Sequence, residues 1–351
     1  MNDAPPLDLA QRLQHAWLSR GPLTRALLPF AALFGAVTAL RRTLYRWGWL
    51  QARTLPVPVI VVGNLIAGGA GKTPTVMASV QLLRRRGYAP GIVSRGYGRR
   101  DDACLEVQAD MPASSCGDEP LLMHLRTGVP VVVARDRVAA ARLLLLRHPE
   151  VDVLVSDDGL QHLRLARSAQ VLVFDERGAG NGWLLPAGPL RERLPPTVPV
   201  RSIVLYNAPA PSTALPGELA RRSLAGVVSL AAWWQGQTAS ISALAALRGR
   251  PLIAAAGVAR PQRFFAMLRD AGLTTTPLAL PDHHDYRTLP WAPETADVVL
   301  TEKDAIKIDP RRVGSTRVWV AALDFSPAAT FDAALIALLP PPGIAHGNAP
   351  S

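Results

Sequence analysis

The chain has 351 residues, of which 49% are hydrophobic and 19% charged, a composition that excludes an intrinsically disordered or collagen-like protein and suits about two domains. Its two cysteines, Cys104 and Cys116, exclude a disulfide scaffold and a cysteine-based zinc site and favour a reducing compartment. The formal net charge is +11, but the arginines are dispersed without an aromatic stacking motif, so we expect an anionic substrate or membrane surface and no nucleic acid.

The N-terminal segment has the pattern of membrane-associating helices. Apolar residues recur at helical spacing from Leu9 to Trp17 and predict an amphipathic helix, which an uncharged apolar run follows at residues 26–40. As a helix this run is about 22 Å long, short of the ~30 Å hydrocarbon core, and the arginines and tryptophans at residues 41–49 suit the headgroup level. We expect helices that lie in the membrane interface. The alternatives are a helix packed on the protein's own core, a signal peptide and a membrane span.

A glycine-rich sequence after this segment has the context of a nucleotide phosphate loop. A β-branched run at residues 57–62 predicts a buried parallel strand, and a helix is predicted at residues 74–86. Between them, glycines let backbone N–H groups approach phosphate oxygens, Lys72 can reach the β- and γ-phosphates, and Thr73 can ligate Mg²⁺. The alternative is an ordinary glycine-rich turn, because Ile66 stands where the consensus has glycine. The predicted nucleotide-binding residues of this loop are Ile66, Ala67, Gly68, Gly69, Ala70, Gly71, Lys72 and Thr73.

Lysine is rare in this chain, and its positions are therefore informative. Only Lys72, Lys303 and Lys307 are present, whereas 35 residues are arginine and 32 are proline. This bias indicates that a lysine is retained where a compact ammonium group cannot be replaced by a planar guanidinium.

Acidic residues at predicted strand ends supply candidate metal and catalytic groups. A strand predicted at residues 151–156 ends in Asp157 and Asp158, where carboxylates can hold Mg²⁺ near a phosphate loop; a plain loop connection is the alternative. Asp118 precedes a predicted helix and could serve catalysis or only the helix start. The PDHHDY sequence around His283 could bind a metal or orient a carboxylate.

A further charged sequence, TEKD at residues 301–304 with Lys307 after it, follows a strand predicted at residues 297–300. A solvated charge run is the alternative interpretation of this segment. Two more strands are predicted at residues 251–256 and 318–323.

Taken together, these motifs resemble the tetraacyldisaccharide 4′-kinase (lipid A 4′-kinase) family. The agreeing stretches are VVGNLIAGGAGKTP, SRGYGRR, GDEP, DDGLQH, NGWLLPAGPLRE, PDHHDY and TEKDAIK, in that order. The resemblance implies transfer of the γ-phosphate of ATP, with Mg²⁺, to the 4′-hydroxyl of a lipid-linked tetraacyl glucosamine disaccharide 1-phosphate. It places this step of lipid A synthesis at the cytoplasmic face of the bacterial inner membrane. The family carries a similarly shifted phosphate loop.

The resemblance also implies roles for individual residues. It assigns Asp118 as general base, His283 as its partner and Tyr97 as a nucleotide-binding residue. The other implied catalytic residues are Lys72 and Arg191, and the implied metal-binding residues are Thr73, Asp157, Asp158 and Glu192. Trp183 departs from the family pattern, in which a basic or polar residue is common. The roles of Gln161, His162, Lys303 and Lys307 stay open.

We predict an α/β fold in which a P-loop core with a mainly parallel sheet is joined to a smaller α/β domain. The predicted segments are N-terminal helices at 1–52, the kinase core at 55–210, the second domain at 224–339 and a disordered tail at 340–351. Since Asp118 and His283 then lie in different domains, domain closure would assemble the site. We expect a monomer whose partners are the lipid substrate and the inner-membrane surface.

A P-loop GTPase or ATPase switch, or a chaperone, is the alternative function. Such a GTPase would carry an Asn-Lys-x-Asp guanine-recognition motif. The TEKD sequence lacks the leading asparagine of that motif, which argues against this alternative.

Overall fold

The computed structural model describes residues 9–99 and 101–343, which form both strands and helices. The strands are β1 (Val59–Gly63), β2 (Pro90–Ser94), β3 (Leu105–Glu106), β4 (Val131–Val133), β5 (Val153–Asp157), β6 (Ala169–Phe174), β7 (Ser202–Tyr206), β8 (Glu218–Ser229), β9 (Leu252–Ala256), β10 (Thr275–Ala279), β11 (Asp297–Thr301) and β12 (Arg317–Pro327). The helices are α1 (Leu9–Ala16), α2 (Pro22–Ala26), α3 (Leu28–Arg46), α4 (Lys72–Arg85), α5 (Ala113–Cys116), α6 (Asp118–Thr127), α7 (Arg137–Arg147), α8 (Leu230–Trp234), α9 (Ile241–Ala246), α10 (Pro261–Asp270), α11 (Glu302–Ala305) and α12 (Ala329–Ala337).

The predicted α/β class is therefore confirmed, with strands that are mostly parallel. Three parts of the sequence-based predictions lie outside the described residues. They are residues 1–8 of the N-terminal segment, Arg100 of SRGYGRR, and residues 344–351 of the predicted tail.

Two compact units divide the chain. Unit 1 contains the N-terminal part up to Ala89, residues Glu150–Ala220 and the C-terminal part from Pro327, whereas unit 2 contains Pro90–Pro149 and Arg221–Ser326. This division differs from the predicted boundaries, because residues 90–149 belong with the later strands instead of with the glycine-rich sequence. The physical reason is that α6 packs against α11 within unit 2.

Unit 1 is built on parallel strands in the order β7-β6-β1-β5. The β-branched run predicted at residues 57–62 forms β1, which is buried along its whole length, as is β5. In the register of this pair, Val62 lies opposite Asp157. Because the strands are parallel, the segments that follow their carboxyl ends meet at one edge of the sheet. That edge carries residues 67–71, which we call the glycine loop.

Helix α4 leaves the glycine loop and covers the sheet of unit 1. It begins at Lys72, two residues before the predicted start, and packs against β1 and β5. Its buried face includes Val76, Val80 and Leu83, as their spacing predicts. Gly71 caps the helix in the left-handed region, at φ +94°.

Unit 2 contains four parallel strands in the order β10-β9-β11-β12, with β8 next to β12. The strands predicted at residues 251–256, 297–300 and 318–323 correspond to β9, β11 and β12. A second group pairs β2 with β4 in parallel and β4 with β3 antiparallel. The first group shares a core with α10, in which Leu268 of α10 and Val299 of β11 are fully buried.

The N-terminal helices are attached to the rest of unit 1 through the NGWLLPAGP segment. Trp17 Nε1 donates a hydrogen bond to Pro186 O at 2.9 Å, and Arg20 Nε donates to Asn181 O at 3.0 Å. The Arg20 guanidinium also lies 5.2 Å from the centroid of the Trp183 ring, a cation–π distance. The departure at Trp183 thus has a partner in the structure.

Helix α3 is longer than the apolar run at residues 26–40, and one of its faces is exposed. Phe30, Leu33, Val37 and Leu40 follow helical spacing and are each 58–65% exposed. We call these four residues the α3 stripe. In the described part of the chain, every helix is too short or too polar to cross a bilayer.

Candidate active site

Lys72, Asp158 and Arg191 meet beside the glycine loop in unit 1. Lys72 Nζ lies 3.6 Å from Asp158 Oδ2, and Arg191 Nη1 donates to the two carboxylate oxygens of Asp158 at 3.0 and 3.1 Å. Asp158 has a positive φ of 46°, a conformation that costs energy in a non-glycine residue and is common at functional sites. Three of the sequence-predicted site residues are therefore in contact.

This group extends to helix α3 through a chain of polar contacts. Arg191 Nη1 also donates to Gln161 Oε1 at 3.3 Å, and Gln161 Nε2 donates to Glu192 Oε1 at 2.8 Å. Glu192 in turn forms an ion pair with Arg42 of α3. Gln161 therefore links Glu192 to the group of Lys72, Asp158 and Arg191. This contact gives a place in the structure to Gln161, whose role the sequence left open.

The unusual start of the glycine loop has a structural cause. Ile66 is fully buried and forms an antiparallel bridge with Leu190. On either side of it, Ala67 N–H donates to Pro189 O and Arg191 N–H donates to Leu65 O, both at 2.7 Å. Residue 66 therefore belongs to a strand-like pairing and not to the loop itself, so a core side chain suits it better than glycine.

The two other predicted metal ligands lie at the same edge of the sheet. Thr73 is in the first turn of α4, and Asp157 is the buried last residue of β5. Within residues 9–99 and 101–343, no group of three or more His, Cys, Asp or Glu side chains is placed to hold a metal ion.

In unit 2, Asp118 and His283 form a close pair. His283 Nδ1 lies 3.0 Å from Asp118 Oδ2, as the predicted general base and partner require. Asp118 begins α6, and His283 lies in the turn after β10 with a positive φ of 61°. Both belong to the same compact unit, which differs from the expectation that they come from two domains. Tyr97 is 72% exposed, and its ring centroid is 5.7 Å from that of His283.

The TEKDAIK segment supports this pair from a buried position, so the interpretation as a solvated charge run is wrong. Thr301 caps α11 by accepting a hydrogen bond from Asp304 N–H at 3.3 Å, and its hydroxyl donates to Asp304 Oδ2 at 2.6 Å. The fully buried Asp304 carboxylate also accepts from Gly257 N–H at 3.1 and 3.2 Å. A Cβ at residue 257 would lie 2.9 Å from Asp304 Oδ1, so this close approach favours glycine.

A second buried acid of the segment joins α11 to α6. Glu302 forms an ion pair with Arg126 of α6 and accepts a hydrogen bond from Trp233 Nε1 at 3.1 Å. Since Asp118 begins α6, the contact between Arg126 and Glu302 helps to set the distance between Asp118 and the lysines of TEKDAIK.

The two lysines of this segment each reach one member of the Asp118–His283 pair. Lys307 Nζ, whose side chain is 6% exposed, lies 3.2 Å from Asp118 Oδ2. Lys303 Nζ lies 3.4 Å from His283 Nε2 and 3.4 Å from Asp282 Oδ1. An ammonium can only donate, so its contact with Nε2 leaves the imidazole N–H at Nδ1, facing Asp118.

These contacts determine the charge state of Asp118. Burial raises the pKa of its carboxyl group, but the hydrogen bond from His283 and the positive charge of Lys307 outweigh burial and hold the pKa below its ordinary value. Asp118 is consequently ionised at neutral pH and ready to accept a proton.

Comparisons with known proteins identify the family of this chain. The profile of the tetraacyldisaccharide-1-P 4′-kinase family matches residues 23–340. The chain belongs to this family. The chain is 57% identical to the tetraacyldisaccharide 4′-kinase of Methylibium petroleiphilum, over 97% of this chain and 98% of that protein. It is also 57% identical to that of Leptothrix cholodnii, over 95% and 97%. The crystal structure of Aquifex aeolicus LpxK in complex with ATP superposes with a TM-score of 0.74 at 28% identity, covering 90% of this chain and 99% of that one.

Sequence reasoning missed several residues of these two candidate groups. Arg126, Glu302 and Asp304 act through contacts between distant elements, and their sequence context gave no signal for those contacts. For Lys303 and Lys307 the rarity of lysine was such a signal, since all three lysines of the chain lie in the two candidate groups.

The contact between Asp118 and His283 predicts that the two act as one unit. Each single alanine variant is expected to lower kcat by about 10²–10⁴-fold, as general-base loss does. The double variant should be scarcely slower than Asp118→Ala, because a residue that acts only through the carboxylate has no effect once the carboxylate is absent. Turnover of the wild type, the singles and the double tests this, with ATP affinity as the control. If the two losses in kcat multiply in the double variant, Asp118 and His283 act independently and the prediction is wrong.

The ion pair of Lys307 with Asp118 predicts a shift in pH dependence. Replacing Lys307 by Met removes a cation that lowers the pKa of Asp118, so this pKa should rise and the acid limb of the kcat/KM profile should move to higher pH. Lys303→Met is the matched control, because Lys303 contacts His283 and should move the limb less. An unchanged acid limb in Lys307→Met, in protein with a wild-type melting temperature, would contradict the assignment of this limb to Asp118 and its ion pair with Lys307.

Proposed function

We propose that this protein transfers the γ-phosphate of ATP to the 4′-hydroxyl of a lipid-linked tetraacyl glucosamine disaccharide 1-phosphate, a step of lipid A biosynthesis. The observation that carries the proposal is the contact between Asp118 and His283 in a member of the 4′-kinase family. A hydroxyl acceptor needs a base for its proton, and this ionised carboxylate supplies one. The alternative, a nucleotide-dependent switch, transfers phosphate to water and needs no base for a sugar hydroxyl.

The groups of unit 1 suit nucleotide binding. The glycine loop runs into the amino end of α4, where backbone N–H groups and the helix dipole favour phosphate. Lys72 would contact the β- and γ-phosphates, and Arg191 would neutralise charge on the transferring group. The Aquifex aeolicus relative binds ATP in its crystal structure, which supports ATP as the phosphate donor here.

The residues at the carboxyl end of β5 fit a magnesium ion. A hydroxyl from Thr73 and carboxylates from Asp157 and Asp158 are the oxygen donors that Mg²⁺ prefers, and Glu192 lies one contact further along. Thr73, Asp157 and Asp158 would hold the ion together with phosphate oxygens, whereas the carboxylate of Glu192 contacts Gln161 and Arg42. Bound there, Mg²⁺ would supply neutralisation of the phosphate charge.

The acid–base chemistry follows from the contacts in unit 2. The bond between the acceptor oxygen and phosphorus forms as the bond from phosphorus to the leaving oxygen of ADP breaks, and the hydroxyl proton moves to Asp118. The N–H at Nδ1 of His283 holds the carboxylate in place for this transfer. Phosphoryl transfer needs only a weak base late in the reaction, so the lowered pKa of Asp118 is compatible with this role.

The N-terminal helices support action at a membrane. The α3 stripe exposes four large apolar side chains on one helix face, and Trp47 and Trp49 at its end are also exposed. Apolar burial in the interface combined with attraction of the nearby arginines to anionic lipids would hold such a helix at the inner-membrane surface. A multiply acylated acceptor stays in the bilayer, so the enzyme must reach it there.

The function predicts formation of 4′-phosphorylated product from ATP, Mg²⁺ and the tetraacyldisaccharide 1-phosphate in detergent. Lys72→Arg should abolish turnover, because the broad guanidinium cannot take the place of a compact ammonium between phosphates. Absence of product from folded wild-type protein would refute the function. A Lys72→Arg variant that keeps more than about a tenth of wild-type kcat, a barrier change below ~1.4 kcal/mol, would refute the role of Lys72.

The exposed α3 stripe predicts a membrane-binding defect on substitution. Changing Leu33, Val37 and Leu40 to serine should reduce sedimentation with anionic vesicles and raise the apparent KM for vesicle-borne acceptor, while ATP affinity stays unchanged. Leu146→Ser is the matched control, since this leucine on α7 is even more exposed than the stripe residues and lies outside the stripe. Full sedimentation of the triple variant would show that the membrane anchor lies elsewhere.

A further inference from the structure

Four successive carbonyl oxygens of the glycine loop accept hydrogen bonds from side chains. The pairs and their N···O distances are Arg177 Nη1 with Ala67 O (3.3 Å), Asn64 Nδ2 with Gly68 O (3.0 Å), Arg177 Nη2 with Gly69 O (3.0 Å) and Asn207 Nδ2 with Ala70 O (3.1 Å). The three donor residues follow the carboxyl ends of the adjacent parallel strands β1, β6 and β7. The strand order therefore brings these three donors to the loop from three separate parts of the sequence.

We propose that Asn64, Arg177 and Asn207 are positioning residues that hold the glycine loop in its phosphate-binding shape before the nucleotide arrives. The inference rests on the proposed function, since it concerns the affinity for ATP. In a trans peptide unit the C=O group and the following N–H group point in opposite directions. Fixing the carbonyl groups of residues 67–70 therefore fixes the direction of the N–H groups of residues 68–71, and these are the donors that a phosphate loop offers.

Arg177 is itself held rigidly. The fully buried carboxylate of Asp175 accepts hydrogen bonds from Arg177 Nε at 3.1 Å, from Nη2 at 2.9 Å and from the Arg177 backbone N–H at 2.9 Å. A guanidinium fixed on one edge by a carboxylate presents its remaining N–H groups in a set geometry. It can then bridge Ala67 O and Gly69 O without a large loss of side-chain freedom.

The glycines of the loop allow these donors to come close. A Cβ at residue 71 would lie 2.1 Å from Asn207 Nδ2, and a Cβ at residue 68 would lie 3.2 Å from Arg177 Nη1. Both glycines also have positive φ, at +94° and +91°. Glycine at residues 68 and 71 thus leaves room for the side chains of Arg177 and Asn207 as well as for a phosphate group.

A preformed loop binds its ligand more tightly, because less ordering is required at the moment of binding. Arg177→Met should therefore weaken ATP binding by about 10- to 100-fold, the range expected for loss of charge-assisted hydrogen bonds. The Kd of Arg177→Lys for ATP should lie between those of the wild type and Arg177→Met, because an ammonium cannot bridge the two carbonyl groups in one plane. The measurement is Kd for Mg-ATP by calorimetry on the full chain, with melting temperatures in the absence of nucleotide.

Arg201 offers a matched control. It lies before β7, and its guanidinium also bonds to two backbone carbonyl groups, those of Ser168 and Leu338. Arg201→Met removes two hydrogen bonds to backbone carbonyl groups away from the loop, so it should leave Kd for Mg-ATP within about twofold, and the melting temperatures of both variants show how far each is destabilised. Equal weakening of ATP binding in both variants would overturn the proposal, since the effect would then be general destabilisation.

A double variant separates positioning from direct contact with phosphate. If Arg177 and Asn207 hold the same loop, Asn207→Ala should also weaken ATP binding, and the double variant should be scarcely weaker than the worse single. If Arg177 binds phosphate independently, the two losses multiply, and the proposal fails. A wild-type protein that does not bind Mg-ATP at all would instead refute the proposed function. Wild-type binding together with unchanged Kd in Arg177→Met would refute the positioning role alone.

Discussion

Parallel pairing of β7, β6, β1 and β5 is the constraint on which the nucleotide-facing part of the protein depends. Parallel strands bring their carboxyl ends to one edge, so every segment that leaves that edge is near the others regardless of its distance in the sequence. Asn64, Asp158, Arg177 and Asn207 share this position although more than a hundred residues separate the first from the last. Their polar groups converge because the strands are paired in this order.

In unit 2 the corresponding constraint is a set of buried acids. Asp304 holds Gly257 and Thr301, and Glu302 holds Arg126, so α11 is fixed against both the loop of His283 and the helix of Asp118. Buried carboxylates are costly unless they are fully hydrogen-bonded, and these two have partners on several elements. The outcome is a rigid support from which Lys303 and Lys307 reach His283 and Asp118.

Much of this arrangement could be predicted from individual residues. The β-branched run at residues 57–62, the glycines before Lys72 and the spacing of Val76, Val80 and Leu83 predicted strand, loop and helix, because local patterns reflect local structure. The family resemblance paired Asp118 with His283, and the structure brings their side chains together. The division into two units differs from the predicted domain boundaries, since residues 90–149 share a unit with strands that come more than a hundred residues later.

The sequence by itself determined the α/β class, the family, and the chemical type of each principal site residue, because motifs and hydrophobic periods are properties of short segments. Only the tertiary structure decided that Ile66 pairs with Leu190 instead of joining the loop, and that Lys307 faces Asp118. It also decided that Arg177 and Asn207 bond to the glycine loop. The physical reason is that such contacts depend on strand order and helix packing, which join residues far apart in the chain and leave no local pattern.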